Sequence, residues 1–259
     1  MSQSVPIHAV ITSLSIIETM AHADGPIGVS ELARSTGTTK PRIYRHLRTL
    51  VDQGYVTQDP LTDKYLLSLR LFHLGQAIAE KTEFLAEARR VMPILRDRVK
   101  QTVTVGQVED NGVRILDIFR YRSEFEISTP PGTLFEFHSS AQGKIALAFG
   151  PERLWQKIEN NSLRKRTDKT NTNVALLKQE IDKIRQVGWA VAPEEVLIGI
   201  NALAAPIFEE TGVLAGTITI VGSVQHLKAK PTPELVEAVL DGAKQISARL
   251  GFREVAMGS

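Results

Sequence analysis

Cysteine is absent from this 259-residue chain, which excludes disulfides, thiolate zinc sites and cysteine nucleophiles. Nor does any apolar run approach the roughly 20 residues that a membrane-spanning helix needs. Met1 to Pro6 lack a basic patch leading into a hydrophobic stretch, so no secretory signal and a cytoplasmic location are expected. The histidines, His8, His22, His46, His73, His138 and His226, are dispersed, with no pair at the spacing of a helical metal site. Nucleophile-elbow, dinucleotide-fingerprint and kinase signatures are missing too. No metal, no cofactor, no catalytic residue and no enzyme are therefore expected.

What the chain does contain is ordinary for a protein with a real core: 42% hydrophobic and 23% charged residues. Its length suits two domains of common size. A net charge of only +2 does not advertise a nucleic-acid partner, but the placement of charge does. Arg34, Lys40, Arg42, Arg45 and Arg48 fall within residues 34–51 with no acid among them. Glu18, Asp24, Glu31, Asp52, Asp59 and Asp63 stand on either side. One basic element in a balanced domain suits docking at a defined place.

Periodicity predicts how that element is carried. Residues 5–21 read as a helix whose Ile7, Val10, Ile11, Leu14, Ile17 and Met20 form one apolar stripe. Asp24, Gly25 and Pro26 end it. A second helix starts with Ser30 as N-cap and closes at Gly37. The third opens at Thr39, has Pro41 in its first turn, and buries Ile43, Leu47, Leu50 and Val51. Arg42, Tyr44, Arg45, His46, Arg48 and Thr49 occupy its other faces. Val56 and the run from Tyr65 to Leu67, either side of a turn at 60–63, form a hairpin. Helix, helix, turn, basic helix and hairpin is the order of a winged helix-turn-helix. The plainer alternative is a three-helix bundle with a solvated basic face. On the first reading, Thr39, Lys40, Arg42, Tyr44, Arg45, His46, Arg48 and the wing residue Lys64 contact phosphates and base edges.

Residues 69–80 read as a connecting helix with Leu71, Leu74 and Ile78 on one stripe, a semi-rigid spacer or a dimer face. This divides the chain into residues 1–68, a linker at 69–81, and a second domain at 82–259. After a helix at 83–100, strands are predicted at 103–108, 113–119, 189–191, 202–208 and 214–221. Helices are predicted at 139–149, 152–159, 173–186 and 233–250. Strands with helices to the side make an α+β domain.

Within it, Ser139-Ser-Ala-Gln142 reads as a capping box. A helix start offers backbone N–H groups and a positive dipole end to a carboxylate or carbonyl oxygen. Ser140, Ala141 and Gly143 are small enough for close approach. On chemistry alone the box caps its helix and does no more. Lys144 follows, but the glycines before it do not form a phosphate loop. Glu194 and Glu195 read as part of a solvated loop. Gly199, Ile200 and Asn201 are placed at the same cavity as the box. Thr217 and Thr219 alternate with Ile218 and Ile220, so both hydroxyls share one face of a strand. Trp189 packs either in the core or against an apolar ligand.

Several stretches, in this order, carry a resemblance: Val29-Ser-Glu-Leu-Ala-Arg-Ser-Thr-Gly37, Ile43-Tyr-Arg-His-Leu-Arg-Thr-Leu50, Gly54-Tyr-Val56 and Lys64-Tyr-Leu-Leu-Ser-Leu-Arg-Leu-Phe-His-Leu-Gly75. In the second half the series continues with His138-Ser-Ser-Ala-Gln-Gly-Lys144, Gly188-Trp-Ala-Val-Ala-Pro-Glu-Glu195, Gly199, and Ala205-Pro-Ile-Phe208. It ends with the strand that finishes at Gly222. Together they resemble the IclR family of bacterial transcription regulators. The resemblance implies a winged helix-turn-helix domain that reads a double-stranded DNA operator, joined by the linker helix to a GAF-like effector-binding domain. It further implies a homodimer or a dimer-of-dimers tetramer, and repression controlled by a catabolic metabolite such as a small carboxylate or aromatic acid. Ser139, Ser140, Ala141, Gly143, Trp189, Glu194, Ile200, Asn201, Thr217 and Thr219 are the effector contacts it points to. Two departures matter. Pro41 and Arg42 stand where the family commonly has a serine-threonine pair, so the operator does not carry over. Ala192 and Pro193 stand where aspartates are common, which removes a ligand contact. Two competing readings remain: an enzyme or binding protein whose first domain only makes protein contacts, and a constitutive DNA-binding protein whose sensor has lost its ligand.

Overall fold

Ile16, Leu32, Ile43 and Leu47 are wholly buried, and around them folds the first of two compact units, Met1–Lys81, the second being Thr82–Ser259. The computed structural model describes residues 6–81, 83–122 and 129–253. The first unit contains α1 (His8–Ala21), α2 (Val29–Ser35), α3 (Lys40–Asp52), β1 (Val56–Gln58), β2 (Tyr65–Leu67) and α4 (Leu69–Lys81). The two strands pair antiparallel with Thr57 opposite Leu66. Ile27 and Tyr65 exchange both backbone hydrogen bonds, at 3.0 and 2.9 Å, and this adds a one-residue third strand. Each fully buried Leu or Ile here is worth about 1.5–3 kcal/mol of transfer free energy.

Two expectations for this unit change. Val5 lies outside the described residues, and α1 begins at His8. Its residues read as one apolar stripe. Instead Ile16 and Met20 are buried, while Ile7, Val10, Ile11 and Leu14 are 48–69% exposed. The helix has two apolar faces, and only one has a partner within the unit. Ser30 is not the N-cap of α2, because Gly28 holds that place with extended backbone and no side-chain bond. The reason is Ile27: pinned to β2, it delivers the chain extended at residue 28, and the helix starts at once. Gly37, at φ +63°, takes the left-handed conformation that a residue with Cβ resists.

The second unit contains α5 (Glu83–Val99), β3 (Thr102–Glu109), β4 (Gly112–Phe119), β5 (Leu134–Phe135), α6 (Ala141–Phe149), α7 (Arg153–Asn160), α8 (Val174–Val187), β6 (Ala190–Val191), β7 (Ile200–Phe208), β8 (Leu214–Ser223) and α9 (Pro233–Arg249). The strands form one antiparallel sheet in the order β5-β4-β3-β8-β7-β6. β5 is too short, at two residues, to show any periodicity in the sequence. Register places Thr104, Thr219 and Ala204 side by side, and Val105 beside Ile218 and Ala205. Neighbours across a ladder share a face, so the two sets separate. Ile218 and its neighbours meet α5 and α9, as the surroundings of Gly242 in α9 show. Ala204 joins the core built around α6, with α7 and α8 behind it. That second face, between the sheet and α6, holds the cavity.

Candidate functional site

In the first unit, α3 separates its residues cleanly. Ile43, Leu47 and Leu50 are buried, whereas Lys40, Arg42, Tyr44, Arg45 and Arg48 are exposed. Among the described residues, none of these cations is held in an ion pair, and neither is Lys64, the residue before β2. Charges left free in this way can neutralise phosphates without first giving up a partner. Thr39, also exposed, is the residue before the helix and makes no side-chain cap. His46 differs from the rest. It is half-buried and its Nδ1 lies 2.8 Å from Ser13 Oγ on α1. Burial, followed by the charges of Arg42 and Arg45, holds its pKa below the usual imidazole range. His46 therefore fastens α3 to α1 through Nδ1. The hairpin turn is fixed by Asp59, whose carboxylate accepts from Leu61 N at 2.9 Å and Thr62 Oγ1 at 2.7 Å.

In the second unit, a cavity of about 170 Å³ opens between β3, β5, β7, β8, the start of α6 and the loop before β7. Ser140, Ala141, Ile200 and Asn201 line it as expected, together with Gln142, Thr104, Thr129, Val196 and Leu197. The N-cap is Ser140, one residue later than the capping box implied. Its Oγ accepts from Gly143 N at 3.1 Å and donates to Glu136 O at 2.8 Å. Ser139 is fully buried with its Oγ unpartnered, and it does not line the cavity.

Gly143, Trp189, Glu194, Thr217 and Thr219 are not among the residues that line the cavity. A Cβ on Gly143 would fall 2.6 Å from Phe137 Cα and closer still to Glu136 O, so that glycine makes room for its own chain. Asn201 touches the cavity, but its amide is engaged: Nδ2 donates to Leu227 O and Lys228 O, and Oδ1 accepts from Ala202 N. Glu194 has its Oε1 on Gly199 N at 2.9 Å. Thr217 and Thr219 are on the cavity side of the sheet by register, yet Thr104 and Val221 supply the wall. Trp189 sits in a separate groove with Arg98, Pro233 and Leu240.

The largest departure from the sequence reading is a buried charge cluster behind the cavity. Lys144 is completely buried, with its Nζ 2.5 Å from Glu195 Oε1 and 2.7 Å from Glu180 Oε1. Glu195, read as part of a solvated loop, is buried instead, and burial pushes its carboxyl pKa up against the opposing pull of Lys144. Its Oε2 also accepts from Asn171 N, and its carbonyl accepts from Thr170 Oγ1 at 2.7 Å. Lys144 in this way ties α6 to the loop that carries Val196 and Leu197 over the cavity. A lysine two residues past the capping box and carboxylates 36 and 51 residues further on gave no sequence signal of their meeting. Among the described residues, no cluster of side chains could hold a metal ion, and no helix is long and apolar enough to cross a membrane.

Comparison with known proteins agrees with this architecture. The IclR helix-turn-helix domain matches residues 10–60, and the C-terminal domain of the bacterial transcriptional regulator IclR matches residues 76–248. The chain is 30% identical over 243 residues to the glycerol operon regulatory protein of Streptomyces coelicolor, covering 92% of this chain and 94% of that one. It is 26% identical over 241 residues to the transcriptional repressor AllR of Salmonella typhimurium, covering 93% and 89%. A solved IclR homologue from Microbacterium hydrocarbonoxydans, complexed with 4-hydroxybenzoate, superposes with a TM-score of 0.84 at 18% identity, covering 93% and 98%. With both family domains matched in order and the winged helix-turn-helix and sensor-like sheet in place, this chain belongs to the IclR family of DNA-binding transcriptional regulators, which are not enzymes.

Proposed function

We propose that the protein is a cytoplasmic repressor that releases its operator when a small catabolic metabolite, a small carboxylate or aromatic acid, enters the cavity at the start of α6. The observation that carries this reading is the unpaired cationic row of α3 on a winged helix-turn-helix. Lys40, Arg42, Arg45 and Arg48 face a duplex, Tyr44 and Thr39 add polar contacts, and Lys64 reaches the backbone from the wing. Repression is the activity named for the AllR relative, and an aromatic acid is bound in one solved neighbour.

A single winged module covers only about 600–1,000 Å² of protein surface on DNA, so the operator is read by a homodimer or a dimer of dimers. The exposed stripes of α1 (Ile7, Val10, Ile11, Leu14) and α4 (Leu69, Phe72, Leu74, Ile78) support that assembly. Apolar faces of this kind mark association surfaces. For control, the effector must bind the non-operator state better than the operator-bound one.

The test is operator release under a panel of small acids with Ala141→Leu as comparison. Ala141 is fully buried and lines the cavity, so the larger side chain fills it. The variant is expected to bind operator normally and to ignore the effector. A normal response from it would place the effector elsewhere.

A further inference from the structure

The walls of the cavity narrow the chemistry of what enters it. Among the described residues, none that lines it carries a charge. Its volume, about 170 Å³, is close to that of a cavity of ~150 Å³ that holds one benzene molecule. A ligand of about six non-hydrogen atoms therefore fits, and a ring bearing further groups is crowded.

Polar demand sits at one end. The first amides of a helix lack intrahelical partners. In α6, a nine-residue helix, Ser140 Oγ already takes Gly143 N and Ser140 O takes Lys144 N. That leaves the N–H groups of Ala141 and Gln142 for a ligand oxygen, reinforced by the helix dipole, equivalent to about half a positive charge. Beside them, Gln142 is 3% exposed and its Oε1 is buried with no hydrogen-bond partner. A buried amide end left unpaired is costly and calls for an explanation. A ligand hydroxyl next to the bound carboxylate supplies one, because it can donate to an amide oxygen or accept from an amide nitrogen.

Resting on the reading of this cavity as the effector site, we propose that it takes a small monocarboxylate with a hydroxyl one or two carbons from the carboxylate. The carboxylate lies on the Ala141 and Gln142 amides, the hydroxyl on the Gln142 side chain, and the short carbon chain against Ile200, Val196 and Val221. A second carboxylate would be buried with no cation among the described lining residues to meet it, so dicarboxylates are rejected.

Titration calorimetry of the full-length protein tests this with paired probes. Lactate and 3-hydroxybutyrate are compared with propionate and butyrate, which lack only the hydroxyl. Malate supplies a second charge, glycerol supplies hydroxyls without a carboxylate, and 4-hydroxybenzoate supplies a ring with a distant hydroxyl. The hydroxy acids should bind at least tenfold more tightly than their deoxy partners and than malate or glycerol. Gln142→Met should erase the preference for the hydroxyl. The comparison on the unaltered protein stands alone should that variant fail to fold. Equal affinity for hydroxy and deoxy acids, tight binding of malate, or no binding by either hydroxy acid would overturn the proposal. Tight binding of 4-hydroxybenzoate or glycerol that Ala141→Leu blocks would overturn the ligand class and leave the effector site standing. Binding that Ala141→Leu leaves untouched would overturn the site itself.

Discussion

α3 and α6 are both short helices at the working ends of their units, and they treat charge in opposite ways. α3 sends every lysine and arginine outward and fully buries only aliphatic side chains, with His46 half-buried beside them. α6 buries eight of its nine residues, including Lys144. An outward cation keeps its hydration until a phosphate displaces it. An inward one must be matched by carboxylates during folding. The first arrangement suits reversible contact with a large anion, and the second fixes the wall of a small cavity.

Replacing the inward cation should have the largest effect. Lys144→Met leaves Glu195 and Glu180 without their partner, and breaking such a pair costs about 3–5 kcal/mol. Both tryptophans, Trp155 and Trp189, lie in the second unit, so urea unfolding followed by fluorescence reports on that unit. A loss below about 1 kcal/mol, the range of exposed pairs, would remove the contrast between the two helices.

Removing outward cations should leave stability alone and cost binding. Arg42→Ala and Arg45→Ala are each expected to weaken operator affinity by about 1–3 kcal/mol where a base is read. Where only a phosphate is met, each should lower the salt slope by about one. Circular dichroism should be unchanged. Full affinity in both variants would place the DNA contact on another surface.

A smaller effect is expected at the one polar side chain of α3 that faces inward. Ser13→Ala removes the partner of His46 and should cost about 0.5–1.5 kcal/mol, measured on the first unit by thermal melting of the whole chain. The sign of the pH dependence follows from burial and from Arg42 and Arg45, which favour neutral His46 in the fold. Its folded pKa is depressed below the usual value of about 6.5. Its contribution is therefore present above that pH and lost as pH falls through it toward the lower folded pKa. His46→Gln should flatten this part of the stability profile, and an unchanged slope would show that another group sets it.

The same contrast explains what was legible in the sequence. α3 could be read because its buried and exposed residues alternate at helical spacing, and so could the hairpin, the long strands β7 and β8 and the helices α8 and α9. α6 could be located, but not understood. A helix buried on all sides has no periodic signature, so the N-cap was misplaced by one residue, and Lys144 appeared to be a mere neighbour of the motif. Its partners, Glu180 and Glu195, come from a different helix and a loop, and only the tertiary fold brings them to it. Gly143 looked like space for a ligand, whereas the backbone of residues 136–137 occupies that space. The apolar stripe of α1 was found, but a stripe does not say whether its partner lies within the unit, and most of this one is exposed.

The most direct test of the account is a fluorescence-anisotropy titration of the full chain against the DNA upstream of its own gene at two salt concentrations. Specific binding that weakens steeply as salt rises is the predicted result, with a log–log slope reflecting several phosphate contacts from the α3 row. Binding indifferent to salt, or no preference for this DNA over a scrambled duplex from a folded protein, would contradict the claim that α3 reads an operator there.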